Sequence, residues 1–264
     1  MTRSRFRWLL PTYLAAALAY LFLPVLVVIM FSFNDLQGRF NVRWQGFTLA
    51  HWLDPFRVAA IPKALGTSLT IAFLSALVST VLGTLIALAL VRYRFRGKEA
   101  TNVSLFMPMA TPEVVMGSSL LALFVAIEAG TGFVTILIAH ILFNISYAVA
   151  TVRARIVGYE RDLEEAAMDL YADEWQTFRW VTLPMIMPGV FAAFLLGFAL
   201  SFDDFVISNF TAGSVQTFPL YVWGAARRGI PPQVNVWGTV VFIVTVSVML
   251  FYLSWQRRSA LRKA

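Results

Sequence analysis

The chain has 264 residues, of which 59% are hydrophobic and only 13% are charged, and its mean hydropathy is +0.73. Soluble domains carry about twice that share of charged residues, so the composition excludes a water-soluble fold. It also excludes disulfides and a thiolate or multi-histidine metal site, because the chain has no cysteine and its two histidines, His51 and His140, stand far apart in the sequence.

Apolar stretches long enough to cross a bilayer recur along the chain, since about 20 helical residues span the hydrocarbon core. Six spans are predicted, over residues 8–33, 65–91, 103–127, 133–152, 185–210 and 237–255. Residues 34–63 and 211–236 are predicted as loops on one side of the membrane, and residues 92–98 and 153–182 as loops on the other. The expected fold is an all-α integral membrane protein in which residues 1–264 form a single transmembrane domain.

The basic residues predict the orientation of these spans. The net charge is +7, yet the Lys and Arg residues cluster beside the spans, which does not favour a nucleic-acid partner. Fifteen of the 21 fall on the side of the two termini, among them Arg3, Arg5 and Arg7, which precede an apolar run too long for a cleaved signal peptide. Because short cytoplasmic loops are enriched in Lys and Arg, both termini are expected in the cytoplasm of a multi-pass membrane protein.

The segment 153–182 contains a short amphipathic helix. Apolar residues recur on one face and acidic residues on the other: Leu163, Ala166, Ala167, Leu170 and Tyr171 against Asp162, Glu165 and Asp169. Periodicity alone leaves two interpretations open. The segment is either a solvated loop helix or a surface that a partner outside the membrane holds.

The sequence of this segment resembles the Glu-Ala-Ala loop of inner-membrane permeases of bacterial binding-protein-dependent (MetI-like) ABC importers. The matching residues are Glu165-Ala166-Ala167 and, downstream, Val181-Thr182-Leu183-Pro184. Other stretches resemble the spermidine/putrescine permease subgroup of that family: 93–98, 164–170, 183–188, 201–206 and 232–235. The resemblance extends over nearly the full length of the chain.

This resemblance implies a cytoplasmic helix-turn-helix that docks into a separate ATPase subunit. The coupling residues it implies are Glu164, Glu165, Ala166, Ala167, Asp169 and Tyr171. It further implies two ATPase subunits that bind ATP and Mg, a second permease subunit, a periplasmic substrate-binding protein and a place in the bacterial inner membrane. The chain has no Gly-x-x-x-x-Gly-Lys-Ser/Thr loop, so ATP hydrolysis is expected on another chain and no cofactor or metal is expected in this one.

One residue departs from the pattern of that family, which usually has glycine where this chain has Tyr171. A glycine at this point lets the chain leave the helix with positive φ, and a tyrosine in that conformation costs about 1–2 kcal/mol. Asp173 is predicted to cap the next helix, with Gln176 as its capping-box partner. The helix-turn-helix is therefore expected to be kept and its turn to be altered.

Acidic residues inside membrane spans are costly and tend to mark function. Glu113 lies in the third predicted span, about 18 Å deep if helix rise is counted from Thr101, and Asp203 and Asp204 lie late in the fifth. Neither span contains Lys or Arg, so these acids predict a path for a cationic substrate whose ammonium groups supply the missing charge. The alternative is that Asp203 and Asp204 cap a helix end and that Glu113 is protonated or hydrogen-bonded.

Four aromatic residues are candidates for cation–π contacts along the same path: Phe22, Phe202, Tyr221 and Trp223. Ordinary packing is the alternative for each of them. His140, in the fourth span, is expected to bond to a helix backbone.

The sequence thus predicts a permease subunit of an ATP-driven importer that carries polyamines such as putrescine or spermidine into the cytoplasm, and not an enzyme. Two alternatives stay open, an ABC permease for another small solute and an ion-coupled secondary transporter. The second is disfavoured because the chain shows no internal repeat at a fixed period.

Overall fold

The computed structural model describes residues 9–158 and 162–261, and their regular structure is helical apart from an isolated antiparallel bridge between Asn34 and Phe47. The helices are α1 (Leu9–Phe31), α2 (Ala50–Leu53), α3 (Ala60–Arg92), α4 (Lys98–Ala110), α5 (Glu113–Ala126), α6 (Phe133–Val157), α7 (Asp162–Asp169), α8 (Glu174–Thr177), α9 (Leu183–Asp203), α10 (Val206–Thr211), α11 (Phe218–Arg228) and α12 (Pro232–Leu261). A π-helical segment, Phe178–Thr182, joins α8 to α9. The predicted all-α fold is confirmed. Several basic residues used to predict the orientation lie outside the described residues: Arg3, Arg5, Arg7, Arg161, Arg262 and Lys263.

Five helical stretches within the described residues are long and apolar enough to cross a membrane, and a bent pair of helices makes a sixth. The five are Leu10–Phe31, Ala60–Arg92, Phe133–Val157, Glu174–Asp203 and Pro232–Phe251. They correspond to five of the predicted spans, although most run several residues beyond the predicted limits.

The third predicted span is not a single helix. Its two halves, α4 and α5, meet at an angle of 109°. The break falls at Thr111, whose backbone is extended, directly before Pro112. A residue before proline is forced out of the helical region by the proline ring, which explains why the turn is placed here. Counting depth along one straight helix from Thr101 to Glu113 was therefore wrong.

Two further boundaries differ from the prediction. The fifth span ends at Asp203, because Asp204 has an extended backbone, and the chain then starts the separate helix α10 at Val206. The predicted loop 211–236 holds the whole of α11 and the start of α12, which begins at Pro232. Proline suits the first turn of a helix, since the backbone N–H it lacks would have no helical partner there.

The chain forms two compact units, each described here by itself. Unit 1 comprises the described residues up to Lys63 and from Tyr221 onwards. Within it α1 packs against α12, where the rings of Phe22 and Phe242 meet edge to face at 6.4 Å. Trp237 Nε1 donates to the carbonyl of Pro55 at 3.0 Å, which ties α12 to the segment after α2.

Unit 2 comprises residues Ala64–Leu220 and is built around α6, which packs along α9. Glycines permit close approach at two crossings. A Cβ on Gly83 of α3 would lie 2.6 Å from the Ala148 Cβ of α6, and one on Gly189 of α9 would lie 2.6 Å from the Arg155 Cβ. Small residues at such crossings are how helices approach each other in a membrane.

We expect Gly83→Ala to destabilise the protein by about 1–3 kcal/mol, because the added methyl overlaps atoms of α6, including backbone. The matched control is Gly66→Ala in the same helix, where a Cβ meets nothing within 4 Å. It should be neutral or gain about 0.5–1 kcal/mol from the higher helix propensity of alanine. Thermal unfolding of the purified variants measures both. Equal melting temperatures for the two variants would show that α3 and α6 do not meet at Gly83.

Candidate functional site

The predicted amphipathic helix is present as α7, Asp162–Asp169. Its predicted acidic face is exposed, since Asp162, Glu165 and Asp169 all point away from the rest of the chain. The first turn of α7 contains the acids Asp162, Glu164 and Glu165, which suit the positive end of the helix dipole. Ala166 is also exposed and Ala167 is half-buried.

Glu164, unlike Glu165, is turned towards the rest of the chain. Its residue surface is 8% exposed, and it is the buried residue of α7. Arg92, the last residue of α3, donates from Nη2 to Glu164 Oε1. Thr182 Oγ1, next to the start of α9, donates to the same oxygen at 2.6 Å. One carboxylate thus joins α7 to the ends of two membrane-spanning helices.

The turn after α7 is a Schellman motif with a tyrosine at the position that favours glycine. Ala172 N donates to the carbonyl of Ala167 at 3.1 Å, and Tyr171 N donates to that of Met168 at 2.9 Å, the two bonds that define the motif. Tyr171 has φ +65° and is 97% exposed. The helix-turn-helix is kept as predicted, but the expected alteration of its turn was wrong, because Tyr171 adopts the left-handed conformation that a glycine ordinarily takes there.

The next helix, α8, starts with the predicted capping box. Gln176 N donates to Asp173 Oδ1 at 2.7 Å, and Asp173 N donates to Gln176 Oε1 at 3.1 Å. The π-helical segment follows, and its wider turn comes directly before Leu183 and Pro184. A proline ring clashes with the carbonyl four residues back in a regular helix, and the wider turn relieves that clash.

Exposed aromatic side chains lie beside α7. Trp175 and Trp180 are 66% and 71% exposed. A groove of about 410 Å³ runs between them and is lined by Phe178, Arg179, Leu183, Pro184 and Met187 as well. A second cavity, of about 520 Å³, is lined by α3 residues such as Leu85 and Leu88 on one side and by Glu164 and Met168 on the other.

The two neighbouring aspartates after α9 have different environments. Asp204 is buried, and its carboxylate accepts from the backbone N–H groups of Ile207 at 3.2 Å and Ser208 at 2.8 Å, which caps α10. His140 Nε2 lies 3.2 Å from Asp204 Oδ2. These partners support the capping alternative for Asp204. Its predicted contact with substrate is not supported by this geometry.

His140 belongs to a chain of buried polar side chains, and the expectation that it bonds to a helix backbone was wrong. His140 Nδ1 lies 2.6 Å from Ser201 Oγ, which accepts in turn from Ser75 Oγ at 3.0 Å. Asn144 Nδ2 donates to the carbonyl of Gly197 at 3.2 Å. These groups come from α3, α6 and α9, so the network joins three membrane-spanning helices. In the sequence, the histidine at position 140 of an apolar span is the one feature that could have indicated this network.

Asp203 and Glu113 are both exposed. Asp203 is the last residue of α9, where backbone carbonyls already give negative potential, whereas Glu113 is the first residue of α5, at the positive end of a helix dipole. The helix that follows Asp204 packs against α5, with Phe210 and Ile207 close to Gly117. Two neighbouring elements therefore supply the acids, although the depth of about 18 Å predicted for Glu113 has lost its basis with the bend at Pro112.

The four predicted aromatic residues are divided between the two units. In unit 2, Phe202 stacks on Phe198 with ring centroids 6.2 Å apart. In unit 1, Phe22 contacts Phe242, and Trp223 carries the guanidinium of Arg227 over its ring at 4.9 Å. These contacts support packing for Phe22 and Phe202, and Trp223 already holds a cation.

Tyr221 lines a cavity of about 540 Å³ in unit 1, together with Arg39, Arg57 and Arg228. Burial raises the pKa of the Tyr221 phenol, while Arg228 acts in the opposite direction, so the phenol is neutral at physiological pH. Three guanidinium groups repel a polycation. This environment therefore does not support the predicted cation–π role of Tyr221.

Comparisons with known proteins agree with the geometry of the fold. Residues 79–262 match the family described as "Binding-protein-dependent transport system inner membrane component". The chain is 36% identical to the spermidine/putrescine transport system permease protein PotC of Haemophilus influenzae, over 94% of this chain and 95% of the relative. It is 38% identical to PotC of Escherichia coli strain K12, over 90% of each chain, and 36% identical to the putrescine transport system permease protein PotI of that strain, over 89% and 86%.

Solved structures show the same fold at low sequence identity. One belongs to a bacterial ABC transporter involved in the import of the acidic polysaccharide alginate, with a TM-score of 0.69, 16% identity and coverage of 97% and 98%. Another belongs to an amino acid ABC transporter, with a TM-score of 0.60, 16% identity and coverage of 81% and 100%. The family resemblance predicted from the sequence is confirmed.

We expect Tyr171→Gly to stabilise the protein by about 1 kcal/mol, because glycine adopts positive φ without the Cβ clash that tyrosine suffers. The control is Leu170→Gly at the preceding residue, which is also exposed but does not have positive φ. That variant should lose stability through the added freedom of the unfolded chain. Thermal unfolding measures the two changes, and a lower melting temperature for Tyr171→Gly would contradict the strain.

We expect Asp204→Asn to lower stability by about 1.5–3 kcal/mol, since it weakens charge-assisted bonds to buried N–H groups and to His140. Asp203→Asn, at the exposed neighbour, should change stability by less than about 0.5 kcal/mol. Chemical or thermal unfolding in the same detergent compares the pair. If Asp203→Asn were the more damaging change, the assignment of the cap to Asp204 would be wrong.

Proposed function

The chain belongs to the family of binding-protein-dependent transport system inner membrane components, and from this membership we propose that it is one permease subunit of an ATP-driven importer for polyamines. The relatives that it matches over about nine-tenths of their length are named for spermidine and putrescine transport. Its own residues are proposed to form part of the translocation path and to transmit motion from the ATPase. No covalent chemistry is assigned to it.

The observation that best supports a positively charged substrate is the exposed carboxylate of Asp203. It lies at the C-terminal end of α9, where the free carbonyl groups are. The buried partners, Ser208 N and His140, contact the neighbouring Asp204 instead. A carboxylate next to the negative end of a helix lacks compensation, and an ammonium group supplies it. Asp203 is therefore the stronger candidate for contact with a polyamine.

Glu113 is proposed as a second, weaker acid on the same path. Its charge is partly compensated by the N-terminus of α5, of which it is the first residue. It is nevertheless exposed at the bend between α4 and α5, where the chain is free of regular helix for Thr111 and Pro112. Irregular backbone at membrane depth is tolerated where it lines a cavity or is buried in protein, which suits a place beside a transport path.

The segment from α7 to the π-helix is proposed as the cytoplasmic contact with an ATPase subunit. Its exposed acids, the exposed Tyr171 and the groove beside Trp175 and Trp180 give it a mixed charged and aromatic surface. Aromatic residues are enriched at the centres of protein interfaces. Both termini are proposed to lie in the cytoplasm as well, which the excess of Lys and Arg on the side of this segment supports.

The assembly proposed around this chain has four further components. They are a second permease subunit from a different chain, two ATPase subunits that hold ATP and Mg, and a periplasmic protein that delivers the substrate. The bacterial inner membrane is the proposed location. A second permease is needed because the acids of this chain lie exposed on its surface, and a path through the membrane requires walls on all sides.

We expect Asp203→Asn to lower the uptake of radiolabelled putrescine or spermidine about tenfold in proteoliposomes that contain the whole transporter, because a charge-assisted contact of a bound ammonium is lost. Glu113→Gln should have the same direction and a smaller size, since the helix dipole already compensates that charge. ATPase activity without substrate should stay at the parental level in both variants.

The matched control is Glu128→Gln, which removes an exposed acid just beyond the other end of α5 and should leave uptake unchanged. Parental uptake of polyamines by both Asp203→Asn and Glu113→Gln would refute the proposed path. If the parental complex took up another solute and no polyamines, the proposal that polyamines are the substrate would be refuted.

A further inference from the structure

Helix α7 is attached to the rest of unit 2 through an unusual contact. Its buried residue is an acid, Glu164, whereas a surface helix ordinarily buries a stripe of apolar side chains. The neighbouring apolar residues Leu163 and Met168 are 57% and 46% exposed. The hold on this helix therefore comes from the carboxylate to a larger extent than from apolar packing.

The space between α7 and α3 supports the same conclusion. A cavity of about 520 Å³ lies there, with Leu85 and Leu88 on the α3 side and Met168 on the α7 side. Arg92 and Glu164 bond to each other at the margin of this cavity. Where side chains do not interdigitate, dispersion contacts are lost, so a direct bond has a larger share in fixing the distance between the two helices.

Glu164 also contacts the entry to α9, through Thr182. Thr182 is 1% exposed and is the last residue of the π-helical segment. The bonds from Arg92 and from Thr182 end on the same carboxylate oxygen. A displacement of α7 away from α3 thus lengthens the bond to Arg92, and a displacement away from the start of α9 lengthens the bond to Thr182.

We propose that Glu164 is a positioning residue that fixes α7 to the ends of α3 and α9, so that a displacement imposed on the exposed face of α7 moves both spans together. This inference rests on the proposed function, in which an ATPase subunit holds that exposed face. Glu165, which is exposed, makes the contact with the ATPase, and Glu164 passes the motion on. The division of roles follows from the burial of Glu164 and the exposure of Glu165, two adjacent side chains about 100° apart around the helix.

The two glutamates should give different defects when each is changed. Glu165→Lys should weaken binding of the ATPase subunit in a pull-down. Glu164→Gln should leave binding of the ATPase and its hydrolysis of ATP near the parental level, while the number of substrate molecules transported per ATP falls about tenfold, since a charge-assisted bond is worth about one order of magnitude in an equilibrium. Arg92→Gln should reproduce the defect of Glu164→Gln from the other side of the pair.

The control is Glu99→Gln, an exposed acid in the first turn of α4, which should change neither binding nor the ratio of transport to hydrolysis. The double variant Arg92→Glu with Glu164→Arg should recover a large part of the ratio that Arg92→Glu alone loses. A parental ratio in both Glu164→Gln and Arg92→Gln would overturn the proposal. So would a loss of ATPase binding in Glu164→Gln equal to that in Glu165→Lys.

A distance measurement tests the same point without any substrate. The chain has no cysteine, so spin labels can be attached at Tyr93→Cys after α3 and Leu170→Cys after α7, both of which are exposed, in a complex with cysteine-free partner subunits. We expect a narrow distribution of distances in the parent, a broad one in Glu164→Gln and a narrow one again in the charge-reversed pair. An unchanged width in Glu164→Gln would overturn the proposal, and this result is separate from whether the transporter carries polyamines.

Discussion

A single buried carboxylate, that of Asp204, allows the chain to break its helix inside the apolar part of unit 2. The first backbone N–H groups of α10 have no partner within that helix, and in apolar surroundings each would cost several kcal/mol if left unpaired. Asp204 accepts from two of them, at Ile207 and Ser208. His140 approaches the same carboxylate from α6, so the break is joined to the central helix of the unit. Without this acceptor, α9 would have to continue or the turn would have to lie outside the apolar layer.

The rest of the candidate path depends on that arrangement. Asp204 is buried where the helix ends, whereas Asp203, the last residue of α9, is exposed. His140, Ser201 and Ser75 extend the polar contacts from the break into the packing of α6, α9 and α3. Hydrogen bonds between buried side chains of different helices restrict the movement of these helices relative to one another. The exposed acid is consequently held on a fixed base, which a site that recognises charge requires.

The sequence predicts the parts of this molecule that are governed by local rules. The acidic face of α7 and the capping box of α8 each depend on residues within a few positions of one another, and the structure has both. The bend at Pro112 and the partner of Asp204 were not predicted. The bend was missed because hydropathy indicates the length of an apolar stretch and not whether its helix is straight. The partner of Asp204 was missed because His140 is 64 positions away from it in the sequence. The inward direction of Glu164 likewise depends on Arg92, a residue 72 positions away.

Helix α7 has only eight residues, and isolated helices of that length are not stable in water. Its shape and direction must therefore come from its ends. At the start, Glu164 is bound by groups of two spans, and at the end the Schellman turn closes although Tyr171 stands in a conformation that tyrosine disfavours. Strained residues persist where the surrounding structure determines them, and they concentrate at functional surfaces. The side chain that causes this strain is almost fully exposed, so it contributes little to the packing of this chain, and its place beside the exposed acids of α7 favours a partner as the reason for its presence.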